Sequence, residues 1–191
     1  MSQQQLLNTV AAALDAAGID YMITGSVAAS LLGQPRSTHD IDLVVAVDER
    51  SAEALLRAFP PPGYLLDRPA VLSAVRRKSV FSLMDTRTGD KVDFWPLTSE
   101  PFDQARFARK QEQDVLGTTM KVTAPGDLIL KKLVWAKQCG GSEKQFKDAL
   151  SVYEVQRDVL DEQDLDAWAR RLNVEDLWRR VKEEAEPIQG P

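Results

Sequence analysis

The chain has 191 residues, a formal net charge of −5, 43% hydrophobic residues and a single cysteine. That length buries a real core without covalent staples, and the lone Cys139 excludes an intrachain disulfide or a cysteine-rich zinc site. The acidic balance argues against a nonspecific nucleic-acid coat protein, although a local basic patch such as Arg76, Arg77 and Lys78 could still meet phosphate.

The N-terminal stretch places Leu6, Leu7, Val10 and Leu14 on one stripe, which predicts a helix over 3–17 stopped by Gly18. "IDYMIT" then reads as a buried strand ending at Gly25-Ser26, followed by a short Ala/Leu-rich helix stopped by Gly33. A polar loop, "QPRSTH", leads into a strand rich in β-branched residues beginning at Asp40. Asp48 can cap the next helix, whose stripe is Ala52, Leu55, Leu56 and Phe59 before "PPPG" ends it. "SVFSLMD" and "KVDFWPL" flank the turn "TRTG" and predict a β-hairpin, with a weaker second hairpin over 113–123 turning at Gly117. The remainder is helical, at about 126–138, 142–156, 162–172 and 174–185. The shift from mixed to all-helical composition near 124 predicts an α/β domain over 1–123 and a helical region over 124–191.

No run of about 18 apolar residues is present, and the N-terminus lacks the basic start and cleavage pattern of a signal peptide. A soluble cytoplasmic protein without a membrane partner is therefore expected. His39 is the only histidine, and no nucleophile-elbow motif accompanies it.

The chemistry concentrates on aspartates. Asp40 and Asp42 share one face of their strand while Ile41, Leu43, Val45 and Val47 share the other. Two carboxylates about 5 Å apart repel by roughly 3 kcal/mol at an effective dielectric near 20. A basic side chain, a raised pKa, solvation at a strand end or a divalent cation could offset that repulsion. Lys91, Asp93 and Trp95 share a face of the later hairpin strand, so Asp93 joins the pair if that strand lies beside the first. Such a trio suits two divalent ions about 3.5–4 Å apart. Taken singly, an acidic pair at a strand start is common as a solvated end, and Asp93 alone is more often a surface residue of a hairpin. Upstream, Gly25 permits a sharp turn, and Ser26 opens a helix whose free N–H groups favour an anion such as phosphate. An ordinary turn and N-cap is the plainer alternative.

This pattern resembles the nucleotidyltransferase superfamily that shares its fold with DNA polymerase β. The matching residues are Gly25-Ser26, thirteen intervening residues, Asp40-Ile41-Asp42-Leu43, and Asp93 in "KVDFW". From about residue 20 to 155 the chain also resembles a prokaryotic subgroup related to AbiEii-type toxins, through "RSTHDIDLVV", "VDFW" and "APGDLILKKLVWAK...GGSEKQFKDAL". The resemblance implies an α/β (α+β) fold with a mixed sheet, flanking helices and a C-terminal helical part. It implies transfer of a nucleoside monophosphate from an NTP, ATP among them, to an acceptor hydroxyl. Mg²⁺ is the expected cofactor at a two-ion site, with Mn²⁺ as a substitute, and Asp40, Asp42 and Asp93 are the catalytic metal ligands. Gly25, Ser26, Arg36, Thr38, Lys132 (less clearly Lys131) and Asp148 fall at nucleotide-binding positions, in a cleft between the two parts. Relatives often carry Glu where Gly126 stands, which leaves that helix start in question.

Helix geometry separates the two lysines independently. Lys131 has Asp127 one turn away, whereas Lys132 has Leu128, Ile129, Trp135 and Ala136. Lys132 therefore either snorkels to water or meets a buried anion, while Asp148 could pair with Lys144. Arg36 and Thr38 could equally be plain loop residues, and Trp95 either stacks on a base or belongs to the core. Three classes stay open: a toxin-type enzyme acting on tRNA or protein with an antitoxin partner, an antibiotic-type enzyme acting on a small hydroxylated molecule, and a non-catalytic nucleotide-binding protein of the same fold.

Overall fold

A computed structural model describes residues 2–115 and 117–187. Close packing divides the chain into two units. The first holds the residues up to Val27 together with Thr38–Val122, and the second holds Ala28–Ser37 together with the chain from Thr123 onward.

The β-branched run that begins at Asp40 forms the centre of the first unit. Strand β2 (Asp40–Val45) pairs antiparallel with β1 (Tyr21–Thr24) and parallel with β5 (Lys91–Pro96). The hairpin read from "TRTG" is β4 (Phe81–Asp85) against β5, extended at the edge by the two-residue β3 (Tyr64–Leu65). The second hairpin is β6 (Gln111–Val115) with β7 (Thr118–Val122), and β7 pairs parallel with β1. The result is one mixed seven-stranded sheet in the order β3-β4-β5-β2-β1-β7-β6.

Alternation dictates which side chains go inside. Ile41, Leu43 and Val45 of β2, Val92 and Phe94 of β5, and Phe81 and Leu83 of β4 are buried, with the Phe81 and Phe94 rings stacked 5.0 Å apart. Helix α1 (Gln3–Ala16) opens with a Ser2–Gln5 capping box and buries the expected Leu6, Leu7, Val10 and Leu14. It packs on α3 (Glu49–Ala58), which is capped by Asp48 as expected. Helix α2 (Gly25–Leu32) follows β1 without a break.

Two helices were not anticipated. Helix α4 (Arg68–Arg77), packed on α3 and β4, includes Arg76 and Arg77 of the basic run and is capped by Lys78, and α5 (Pro101–Ala108) follows β5. Both carried start signals: the Asp67 cap with Pro69 in the first turn of α4, and Pro101 at the first position of α5. Their short apolar stripes are weak, which is why periodicity missed them.

In the second unit α6 (Pro125–Gln138) packs on α7 (Glu143–Gln156), and α8 (Glu162–Arg171) and α9 (Glu175–Glu184) pack on these and on each other. Gly126 suits α6 for a steric reason: a Cβ there would stand 2.9 Å from Leu165 Cδ2 of α8. The helix starts despite lacking the Glu of the toxin-like group, with Pro125 in its first turn. No helix among the described residues is long and apolar enough to cross a membrane.

Candidate active site

In the first unit the parallel register of β2 and β5 pairs Asp42 with Asp93 and Asp40 with Lys91. Neighbouring strands lie about 4.8 Å apart, so Asp42 and Asp93 stand side by side on one sheet face, with Asp40 two residues back along β2. All three are at least partly solvent-accessible, while the opposite face is core. The conditional step of the sequence reading, that the Asp93 strand lies beside the Asp40/Asp42 strand, is met.

Asp42 is held from two sides. The Trp95 indole Nε1–H donates to Asp42 Oδ1 at 3.1 Å. Gly25, at φ +67°, has its backbone so close that a Cβ would fall 2.1 Å from Asp42 Oδ2. Trp95 packs, half-buried, against the Met22, Val44 and Phe107 core cluster, and in addition its indole N–H orients a carboxylate.

Asp93 has other partners. Lys91 Nζ lies 2.8 Å from Asp93 Oδ2, and the Ser82 hydroxyl of β4 donates to Asp93 Oδ1. The hydrogen bond to Asp93, with the fields of Asp93, Asp40 and Asp42, holds the Lys91 ammonium above the ordinary lysine range. Lys91 had been read only as sharing Asp93's face. Its signal was present, since opposite charges two apart on a strand lie side by side. Ser82 is placed by the hairpin register, Ser82 opposite Asp93, which the sequence does not specify closely.

Among the described residues no three His, Cys, Asp or Glu side chains already close around one point. The donor set nevertheless fits a hard divalent cation. It is all carboxylate oxygen, its members are adjacent in register, and bare Gly25 leaves the space that Asp42 fills. Ser26 is buried in the first turn of α2, and Thr38 Oγ1 accepts the Asp40 N–H at 3.3 Å, which makes Thr38 a positioning residue for the start of β2.

The remaining nucleotide-site candidates meet in the second unit. Asp148 accepts a two-pronged pair from Arg36, Nε to Oδ1 at 2.9 Å and Nη2 to Oδ2 at 2.8 Å, and Lys132 Nζ reaches Oδ2 at 2.7 Å. Lys132 and Asp148 are both buried, and Arg36 is about one-third exposed. Burial alone would raise the Asp148 pKa, but the hydrogen bonds from Arg36 and Lys132 outweigh it and hold the carboxyl below its usual range. Of the two outcomes open to Lys132, a buried anion is the one it meets, and that anion is the Asp148 carboxylate. One reading is corrected: the partners of Asp148 are Arg36 and Lys132 rather than Lys144. Arg36 is no plain loop residue, because its loop is also pinned by Ser30, whose hydroxyl accepts the Arg36 N–H and donates to the Arg36 carbonyl. Arg36, Lys132 and Asp148 thus form one ion-pair cluster within the second unit. It borders a cavity of about 430 Å³ lined by Gln34, Arg36, Lys147, Asp148 and Ser151 among others.

Comparison with solved structures gives the same fold. An antigenic nucleotidyltransferase-like protein from Paracoccidioides brasiliensis matches with a TM-score of 0.59 at 20% identity, covering 96% of this chain and 94% of that one. The antibiotic-resistance factor ANT(2'')-Ia matches in its solution structure at 0.56 and 16% identity, over 96% and 100% of the two chains. Its crystal structure in complex with adenylyl-2''-tobramycin matches at 0.51 and 15%, over 91% and 98%. These likenesses establish a nucleotidyltransferase-like fold. No curated protein matches the chain. The family model described as Aminoglycoside-2''-adenylyltransferase matches residues 6–126, well over half of the sequence and including every aspartate of the β2/β5 cluster. The chain therefore belongs to the aminoglycoside-2''-adenylyltransferase family and is, by family, a nucleotidyltransferase.

Proposed function

We propose that the protein is a Mg²⁺-dependent adenylyltransferase that moves AMP from ATP to a hydroxyl of a small, polyhydroxylated acceptor of the aminoglycoside class. The observation that carries this reading is the register that sets Asp42 against Asp93, with Asp40 on the same face, inside a segment matched by that family. The acceptor oxygen forms a new bond to the α-phosphorus, the bond from that phosphorus to the β-phosphate oxygen breaks, and pyrophosphate leaves. Divalent ions bound by Asp40, Asp42 and Asp93 would acidify the acceptor hydroxyl and neutralise charge on the phosphates.

The chain's own residues supply the rest. Trp95 and Gly25 fix the direction in which Asp42 points. Asp93, which joins one metal in this reading, would also help to deprotonate the acceptor. Ser26 and the first N–H groups of α2 would hold phosphate oxygens, as a helix N-terminus favours an anion. Arg36, Lys132 and Asp148, joined in one ion-pair cluster, would contribute to nucleotide binding, as the sequence resemblance implies for these positions.

The test is label transfer from each of four α-phosphate-labelled NTPs with Mg²⁺. Tobramycin, bulk tRNA and the protein itself serve as acceptors, and an Asp40→Ala/Asp42→Ala control runs alongside. Label from ATP on tobramycin that vanishes in the control supports the proposal. Label on RNA or protein instead would favour a toxin-type enzyme, the reading that rests on the AbiEii-like sequence segments, and would make an antitoxin partner worth seeking. No label on any acceptor would leave nucleotide binding without transfer.

A further inference from the structure

Every residue of the carboxylate cluster has an expected role except the one that is not a carboxylate. Lys91 lies across from Asp40 in the β2–β5 register and two residues before Asp93 on the same strand. Both prefer the same sheet face, and the ammonium sits 2.8 Å from Asp93 Oδ2 while the Ser82 hydroxyl takes Oδ1. A carboxylate oxygen keeps a second lone pair after one hydrogen bond, so geometry alone leaves room for a metal on Asp93. Charge does not, because a dication arriving at Asp93 meets a positive charge already within hydrogen-bonding distance of the same oxygen.

We infer that Lys91 is the resident counter-ion of the Asp40, Asp42 and Asp93 cluster, and that a divalent cation must displace its ammonium from Asp93 in order to bind. The inference rests on the reading of these aspartates as metal ligands and goes beyond it. It says why three neighbouring carboxylates can fold together without metal, and that the free protein holds metal more weakly than its carboxylates alone would. The Lys91 side chain is 43% exposed, so its stem can swing the ammonium into solvent without disturbing the core behind Val92 and Phe94. An ordinary surface ion pair is worth about 0–1 kcal/mol, less than the effect on metal binding expected here.

The experiment is a Mn²⁺ titration of the EDTA-stripped full-length protein without nucleotide. Free hexaaquo-Mn²⁺ is followed by electron paramagnetic resonance for wild type, Lys91→Met, Lys91→Arg and Asp42→Asn. Lys91→Met should bind Mn²⁺ at least ~10-fold more tightly than wild type, a difference of ~1.4 kcal/mol. Lys91→Arg, which keeps the charge, should stay near wild type, and Asp42→Asn should bind more weakly. Thermal melts give a second readout. Without metal Lys91→Met should melt below wild type, and saturating Mn²⁺ should raise its Tm by more than it raises that of wild type. A purely structural lysine would shift the melt equally with and without metal.

If Asp42→Asn weakens Mn²⁺ binding but Lys91→Met binds as wild type or more weakly, the counter-ion role is overturned and the carboxylate metal site stands. If Asp42→Asn changes nothing, or wild type and Lys91→Met both fail to bind Mn²⁺, the metal-site reading falls and the inference falls with it.

Discussion

Gly25 and Asp42 compete for one volume: a methyl group on the glycine would stand 2.1 Å from the Asp42 carboxylate oxygen and 2.8 Å from its Cβ. The glycine also holds φ +67°, which costs an L-residue roughly 1–2 kcal/mol. Gly25→Ala should therefore lower stability by about that amount and, by pushing Asp42 aside, reduce adenylyl transfer by at least ~100-fold, as expected when a reacting group is misplaced by about 1 Å. A circular dichroism melt beside a turnover assay separates the two effects. Near-normal turnover would show that Asp42 has no fixed direction to lose.

Trp95 contributes a single hydrogen bond to Asp42. Trp95→Phe keeps an aromatic ring against Met22, Val44 and Phe107 while removing the donor. The loss of one hydrogen bond to a charged group, about 1.5–3 kcal/mol, should appear as a ~10-fold or greater fall in kcat with a folded protein. A fall confined to Tm, with kcat intact, would assign Trp95 to packing alone.

Much of this site was legible in the sequence because strand alternation is rigid. Once "DIDLVV" and "KVDFW" are strands, the faces of Asp40, Asp42 and Asp93 follow, as do those of Ile41, Leu43, Val92 and Phe94. The family was legible from the same residues at the level of the nucleotidyltransferases, and the matched family model directs the finer reading toward aminoglycoside adenylylation. Contacts over long separations were not legible. Arg36 and Asp148 lie 112 positions apart, and nothing local in either segment names the other. The hydroxyl of Ser82 was equally silent, since its placement depends on a hairpin register set by the turn.

The Asp148 carboxylate should be the most sensitive stability element of the helical unit. Asp148→Asn leaves Lys132, itself buried, without its 2.7 Å carboxylate partner, and breaking a buried ion pair from one side typically costs about 3–5 kcal/mol. Chemical denaturation should show that loss in the transition reporting Trp178, which is buried in the same unit with its ring 5.2 Å from Tyr153. A cost under about 1 kcal/mol would mean that water or a neighbour replaces the carboxylate.

Acid should act through a different aspartate. Asp85, at the end of β4, is fully buried and accepts the Arg87 backbone N–H and two guanidinium bonds, at 2.9 and 2.7 Å. These bonds lower its pKa from 3.8 to about 2. A carboxyl depressed on folding stabilises fully above its unfolded value and loses that contribution as pH falls through the folded one. Tm should therefore decline as pH drops from about 4 towards 2, and Asp85→Asn should remove that part of the slope while lowering Tm at neutral pH. An unchanged acid limb in the variant would place the sensitivity elsewhere.

The ten residues from Ala28 to Ser37 belong with the C-terminal helices although they are threaded between β1 and β2. The helical unit is therefore not a cassette that could be removed by cutting the chain once near residue 123. A fragment ending there would carry Gln34 without Ser151 and Arg36 without Asp148. The inserted segment is joined one residue after Ser26 and leaves two residues before Asp40. Exchange of helical regions between relatives would have to transplant both pieces together. The chain connectivity thus keeps the helical unit's inheritance tied to the Gly25-Ser26 turn and to Asp40.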